Sequence, residues 1–195
     1  MNIAIIGTGY VGLVTGVCLA ERGNDVHCID NNPKIVERLA SGQITIYEPG
    51  LDDIYQRNLK KGRIKFSGNL VEAVLRAEVL FLCLPTPPGE DGSADLKYIL
   101  QAAGEIGIIF ARNPDAGYKV IVDKSTVPVG TSDKVDAAIR GHLDPRFEFD
   151  VVSNPEFLRE GFAVEDFLRP ERVVIGSSSE RAVAILQDLY EPFIP

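Results

Sequence analysis

The sequence is poor in cysteine, with only Cys18, Cys28 and Cys83 among 195 residues. An odd number of thiols, each inside an apolar stretch, argues against a disulfide framework and points to a reducing compartment. No Lys or Arg occurs in the first twenty residues, so the apolar N-terminus lacks the positive region of a signal peptide, and glycines break its run. No other stretch approaches the length of a membrane span. Long basic runs are missing as well, and the net charge is −8, which disfavours nucleic acid or an anionic membrane as partner. The two histidines, His27 and His142, have no metal-ligand spacing. There is no internal repeat and no low-complexity segment. These absences lead us to expect a cytoplasmic protein with no metal, no nucleic acid and no membrane partner. An anionic ligand stays compatible with the acidic balance, because backbone N–H groups bind phosphate without basic side chains.

What is present is a 45% apolar chain, enough for a proper core in one domain or one domain with an appendage. Apolar runs alternate with helical patterns. Strands are expected at Asn2–Ile6, Asp25–Ile29, Ile64–Phe66, Glu78–Leu84, Lys119–Asp123, Phe149–Ser153 and Arg172–Gly176. Helices are expected at Tyr10–Arg22, Pro33–Ala40, Leu51–Lys60, Leu70–Arg76, Ala94–Ala111, Thr131–His142 and Ser179–Tyr190. Continuously apolar strands separated by helices predict an α/β architecture, a doubly wound parallel sheet with helices on both faces. Its core unit spans about residues 1–150, and further C-terminal β/α units occupy about 151–195.

Gly7-Thr8-Gly9-Tyr10-Val11-Gly12 fits G-x-G-x-x-G, follows a strand directly and opens a helix. Gly7 permits the tight turn, Gly9 lets backbone approach a pyrophosphate, and Gly12 lets helix pack on strand. The second strand runs into Asp30, placed to accept hydrogen bonds from an adenosine ribose. A 2′-phosphate there would meet a like charge, so NAD is favoured over NADP. Lys34 is either a ribose or phosphate contact or a solvated helix residue.

Ligands in doubly wound sheets bind outside the carboxyl ends of the strands. Three loops of unusual composition fall there. Pro85-Thr86-Pro87-Pro88 opens a turn-rich stretch reaching Ser93. Lys124, Ser125 and Thr126 lead into Val127-Pro128-Val129-Gly130-Thr131. Ser153-Asn154-Pro155-Glu156-Phe157-Leu158-Arg159-Glu160-Gly161 ends the series. If helical, Glu156 and Glu160 share a face and form a pair of carboxylates suited to acid/base work. The bland alternative is an acidic helix start favoured by the dipole.

Six strings in order, GTGYVG, IYEPGL (46–51), LPTPPG (84–89), KSTVPVGT (124–131), NPEFLREG (154–161) and RVVIG (172–176), resemble the UDP-glucose/GDP-mannose 6-dehydrogenase family over essentially the whole chain. The nearest likeness is to the UDP-glucose branch, and the GDP-mannose and UDP-N-acetyl-hexosamine branches share most of the strings. The resemblance implies a Rossmann-like NAD-binding domain. It also implies oxidation of the C6 alcohol of a UDP-sugar to a carboxylate with two NAD, through a cysteine thiohemiacetal and thioester. By the same resemblance Thr126 and Glu156 hold and activate water, and Glu160 lies near the nicotinamide. Pro85, Thr86, Ser125 and Thr126 line the cofactor beside the glycine turn, and Glu156, Phe157, Leu158, Arg159 and Glu160 line the sugar. The family's cysteine motif, helical linker and second domain are not in this sequence. The expectation is therefore an N-terminal NAD-binding domain, 1–195, inactive alone, of a protein that forms a homodimer or higher homo-oligomer. A dinucleotide-binding module without catalysis is the alternative.

Overall fold

The computed structural model describes residues 1–90 and 92–194. Asp91, inside the loop expected from Pro85 to Ser93, and Pro195, the last residue of the expected domain, lie outside the described residues. Six parallel strands run β1 (Asn2–Ile6), β2 (Asp25–Ile29), β3 (Ile64–Ser67), β4 (Val79–Leu82), β5 (Lys119–Asp123) and β6 (Phe149–Ser153). Their order across the sheet is β3-β2-β1-β4-β5-β6, the doubly wound arrangement whose direction reverses between β1 and β4.

Strand residues divide between two cores because successive side chains point to opposite faces. Ile3, Ile5, Val79, Phe81, Val120 and Val122 enter one core. Ala4, Ile6, Leu80, Leu82 and Ile121 enter the other. The first is covered by α1 (Tyr10–Glu21), α3 (Leu51–Lys60), α7 (Ala163–Leu168) and α8 (Glu180–Tyr190). The second is covered by α4 (Leu70–Arg76), α5 (Lys97–Arg112) and α6 (Thr131–Arg140). Each fully buried Ile, Leu or Phe contributes about 1.5–3 kcal/mol relative to exposure. The short α2 (Pro33–Ala40) starts with Pro33 behind Asn32, whose side chain accepts from the Lys34 N–H at 3.0 Å.

Several boundaries differ from the sequence reading. The helix expected from Ala94 starts at Lys97, whose N–H is captured by the Asp95 carboxylate at 2.9 Å. The strand expected at Arg172–Gly176 does not form. There, Gly176 and Ser153 exchange one pair of 2.8 Å backbone bonds, and the carbonyl two residues earlier, Val174, accepts from the Asn154 side chain at 2.8 Å instead of a strand. The C-terminal extension is therefore helical, α7 and α8 closed by a 3-10 turn at Glu191–Phe193. No described helix is long and apolar enough to cross a membrane.

Candidate active site

The glycine turn sits at the carboxyl end of β1. A Cβ on Gly7, whose φ is +99°, would run into the Cys83 carbonyl, and one on Gly12 would run into the Gly7 carbonyl. Gly12 is thus a packing residue buried under the turn, while Gly9 has open space where its Cβ would be. At its start α1 has no capping side chain and no acidic residue in the first turn. Its first N–H groups and positive dipole end are left for an anion. Asp30 stands beside them. Its Oδ2 accepts the Thr8 N–H at 3.1 Å and the Thr8 hydroxyl at 2.6 Å, and its Oδ1 accepts the Asn32 N–H at 2.9 Å. A carboxylate has about four acceptor positions, so Asp30 is oriented by the turn with capacity left for hydroxyls.

These groups open into a cleft of ≈ 890 Å³ at the switch point between β1 and β4. Gly7, Gly9, Tyr10, Val11, Asp30, Pro85, Thr86, Ser125 and Thr126 all line it. Two loops are stitched together at its wall. The Thr86 hydroxyl donates to the Thr126 carbonyl at 2.9 Å, and the Ser125 hydroxyl donates to the Leu82 carbonyl at 3.2 Å while accepting the Leu84 N–H at 3.1 Å. Ser125 is thereby a framework residue that also faces the cleft. Lys34 and Glu160 do not line it. Lys34 is exposed, one position before the lining residue Ile35.

A second cleft, ≈ 270 Å³, is lined by Lys124, Asn154, Glu156, Phe157, Leu158, Arg159 and Tyr190 among others. The segment is not helical, so Glu156 and Glu160 do not share a helix face, because side-chain carboxylates take the backbone donors first. Glu156 accepts the Leu158 N–H at 2.6 Å, Asp166 the Arg159 N–H at 2.9 Å, and Glu48 the Gly161 N–H at 2.6 Å. Arg159 also forks onto Asp166, at 3.0 and 2.7 Å, and Phe157 lies under the Arg172 guanidinium at 4.5 Å. Glu160 is exposed on the turn that follows. Thr126 and Glu156 face different clefts, and among the described residues no hydrogen bond joins them.

Four residues at the site carry more than their sequence reading assigned. Thr8 holds Asp30, as described. Lys124, in KSTVPVGT, is 4% exposed; its ammonium reaches Asn154 Oδ1 at 3.2 Å and the Tyr190 oxygen at 3.5 Å, with no carboxylate in ion-pair range among the described residues. Burial pulls this ammonium down to about 8, against the opposing influence of Cys83 and Glu156. Tyr190 closes the cleft floor by donating to Asn154 Oδ1 at 2.6 Å. Glu48, in IYEPGL, is buried and accepts the Tyr10 hydroxyl at 2.5 Å. Burial would raise the Glu48 carboxyl, but the bonds from Tyr10, Gly161 and Ala163 outweigh it and hold it low. The Tyr10 phenol is raised, first by burial, then by Glu48, and further by the charges of Glu160 and Glu156. The only signal for Glu48 was its place in a family string; its partners lie 38 and 113 residues away.

Residues 1–194 match the model of the UDP-glucose/GDP-mannose dehydrogenase family, NAD binding domain. The chain is 46% identical to a UDP-glucose 6-dehydrogenase of Pseudomonas aeruginosa over its whole length, and 47% identical to UDP-glucose 6-dehydrogenase TuaD of Bacillus subtilis over 98% of it. It spans 42% and 41% of those two curated relatives. Among solved structures, a UDP-glucose dehydrogenase of Pyrobaculum islandicum superposes with a TM-score of 0.90 at 44% identity, covering 97% of this chain and 43% of that one. A GDP-mannose dehydrogenase of Pseudomonas aeruginosa gives 0.92 at 34% identity, over 98% and 44%.

Proposed function

Since the chain belongs to the UDP-glucose/GDP-mannose dehydrogenase family, as its NAD-binding domain, we propose that it serves the NAD-dependent oxidation of the C6 alcohol of a UDP-sugar, UDP-glucose to UDP-glucuronate. The observation that carries this reading is the pair of clefts along one sheet edge, a glycine-turn cleft with Asp30 and a charged cleft with Glu156, which Tyr10 and Glu48 tie together. Identities of 46% and 47% to UDP-glucose enzymes, against 34% to a GDP-mannose enzyme, support the glucose branch.

NAD, when bound, supplies the hydride acceptor. The chain's own residues position and tune. The N–H groups at the α1 start take the pyrophosphate, and the Asp30 carboxylate takes the ribose hydroxyls. Glu156, half-buried, accepts a proton from the water that releases an acyl intermediate. The Thr126 hydroxyl helps orient that water once a loop or substrate brings the two clefts' occupants together. Leu158, Phe157 and Arg159 shape the sugar side, with Glu160 at its border.

The nucleophile for that intermediate is not one of this chain's cysteines, which are all buried with thiols pushed up by desolvation. On this reading the relatives' remaining length brings the nucleophile and most nucleotide contacts, and the complete protein is a homodimer or larger.

Calorimetry tests the reading. The chain is expected to bind NAD⁺, to bind NADP⁺ more weakly, and to form no NADH when UDP-glucose is added. Asp30→Ala is expected to weaken NAD⁺ at least about tenfold, the loss of one or two hydrogen bonds to a charged group. Equal affinity of the two proteins would sink the ribose assignment.

A further inference from the structure

A buried carboxylate normally has a cation beside it. Glu48 is 5% exposed, and no cation lies within ion-pair distance of it among the described residues. Three hydrogen bonds do that work: the Tyr10 hydroxyl at 2.5 Å, the Gly161 N–H at 2.6 Å and the Ala163 N–H at 3.2 Å. Tyr10 belongs to the glycine turn and is one of the residues lining the large cleft. Gly161 and Ala163 flank the end of the segment that carries Arg159 and Glu160, and the Tyr10 hydroxyl also lies 3.4 Å from the Arg159 carbonyl. The two amides are 113 and 115 residues from Glu48 in the chain, so local sequence does not explain the contact.

We infer that Glu48 is a positioning residue that fastens the 159–163 segment to Tyr10, so that occupancy of the dinucleotide cleft is transmitted to the sugar-side segment. The transmission rests on the NAD-binding reading above; the fastening does not. A ligand seated against Tyr10 restricts its rotamers, and a restricted phenol keeps its bond to Glu48 formed for more of the time. Glu48 in turn holds the two amides. By linkage, a ligand that orders the 159–163 segment raises NAD affinity by the factor that NAD raises its own.

Amide hydrogen exchange on this chain, followed by NMR, tests both parts. In the wild type, saturating NAD⁺ is expected to slow exchange at Gly161 and Ala163 by about tenfold, while the Ser153 amide, bonded to the Gly176 carbonyl, does not change. Tyr10→Phe keeps the ring and removes the donor. It is expected to exchange about tenfold faster at both amides in the free chain and to show no further slowing with NAD⁺. Glu48→Gln, a second variant with the same volume, is expected to speed both amides in the free chain. The fastening is overturned if Tyr10→Phe and Glu48→Gln exchange like wild type. The transmission is overturned if NAD⁺ slows wild type and Tyr10→Phe equally. A wild-type chain that fails to bind NAD⁺ by calorimetry overturns the cofactor reading and the transmission together, and the free-chain comparison then decides the fastening alone.

Discussion

The two clefts lie on the same sheet edge and are built by opposite means. The dinucleotide cleft is made of absent side chains: Gly7, Gly9 and Gly12 leave backbone and a helix end bare, and one carboxylate, Asp30, is pinned by neighbours no more than 22 residues away. The second cleft is made of charge. Lys124, Glu156, Arg159, Asp166, Arg169, Glu171 and Arg172 all line it, and its buried ammonium is held by partners 30 and 66 residues distant. At Gly7 and Gly12 a site made by omission tolerates no added atom. One made by charge is sensitive to desolvation and pH.

The sharpest way to break that contrast is to add one methyl group. Gly12→Ala places a Cβ inside the backbone carbonyl of Gly7, which cannot step aside, and close to the Cys83 side chain. Overpacking typically costs about 1–3 kcal/mol, and a clash with the backbone carbonyl of Gly7 belongs at or above the top of that range. Denaturant melts are expected to show at least that loss, with NAD⁺ binding abolished in calorimetry. A variant of wild-type stability that binds NAD⁺ normally would mean that the turn is not close-packed.

The same contrast explains how much was legible in the sequence. Glycine constraints are local, so the turn, its helix and Asp30 were readable from a string and a spacing. The strands were readable because buried parallel strands are continuously apolar, and alternation then assigns Ile3 and Ala4 to opposite cores. The 153–161 segment was legible as a strand-end loop, and its residues 154–159 line a cleft, but its shape was not legible. Its N–H groups bond to the carboxylates of Glu156, Asp166 and Glu48, the last two outside the segment, and i→i+4 stacking of Glu156 and Glu160 assumed that these donors were free. The lost strand at Arg172–Gly176 has the same cause, a carbonyl taken by the Asn154 side chain. The 3-10 turn and α7 are too short for a periodic signal.

A smaller and pH-dependent effect is expected at Lys124. Its pKa falls from 10.5 to about 8, chiefly through burial. The depressed value means that the folded state binds the proton less well than the unfolded state. Below pH 8 both states carry it and the full cost, about 3 kcal/mol at 1.36 kcal/mol per unit, is present. Between pH 8 and 10.5 the folded chain has released the proton and the unfolded chain has not, so stability rises with pH. Lys124→Met removes the charge and keeps much of the volume, while Asn154 Oδ1 retains the Tyr190 hydroxyl. Urea melts are expected to show the variant more stable by about 1–2 kcal/mol at pH 7, since removing a buried charge recovers part of its desolvation cost. The advantage should vanish toward pH 10.5. An equal difference at both pH values would mean that the ammonium is solvated and the cleft is not built on desolvated charge.

The smallest expected effect, close to none, concerns the thiols. Cys18 and Cys28 have no exposed surface and Cys83 has 7%, and burial raises all three thiols, Cys83 to about 12. A thiolate is the reactive form, so at pH 8 the folded chain presents almost none. The neighbouring Lys124 ammonium pulls the Cys83 thiol down, but less than burial lifts it. Iodoacetamide is therefore expected to label none of the three in the folded chain on the timescale that labels a free thiol, and all three in denaturant. Rapid labelling of Cys83 alone under native conditions would reverse the conclusion. It would make Cys83 a candidate nucleophile in the wall of the large cleft, with Lys124 as the cation that activates it, and the site would then hold its own acyl acceptor within this chain.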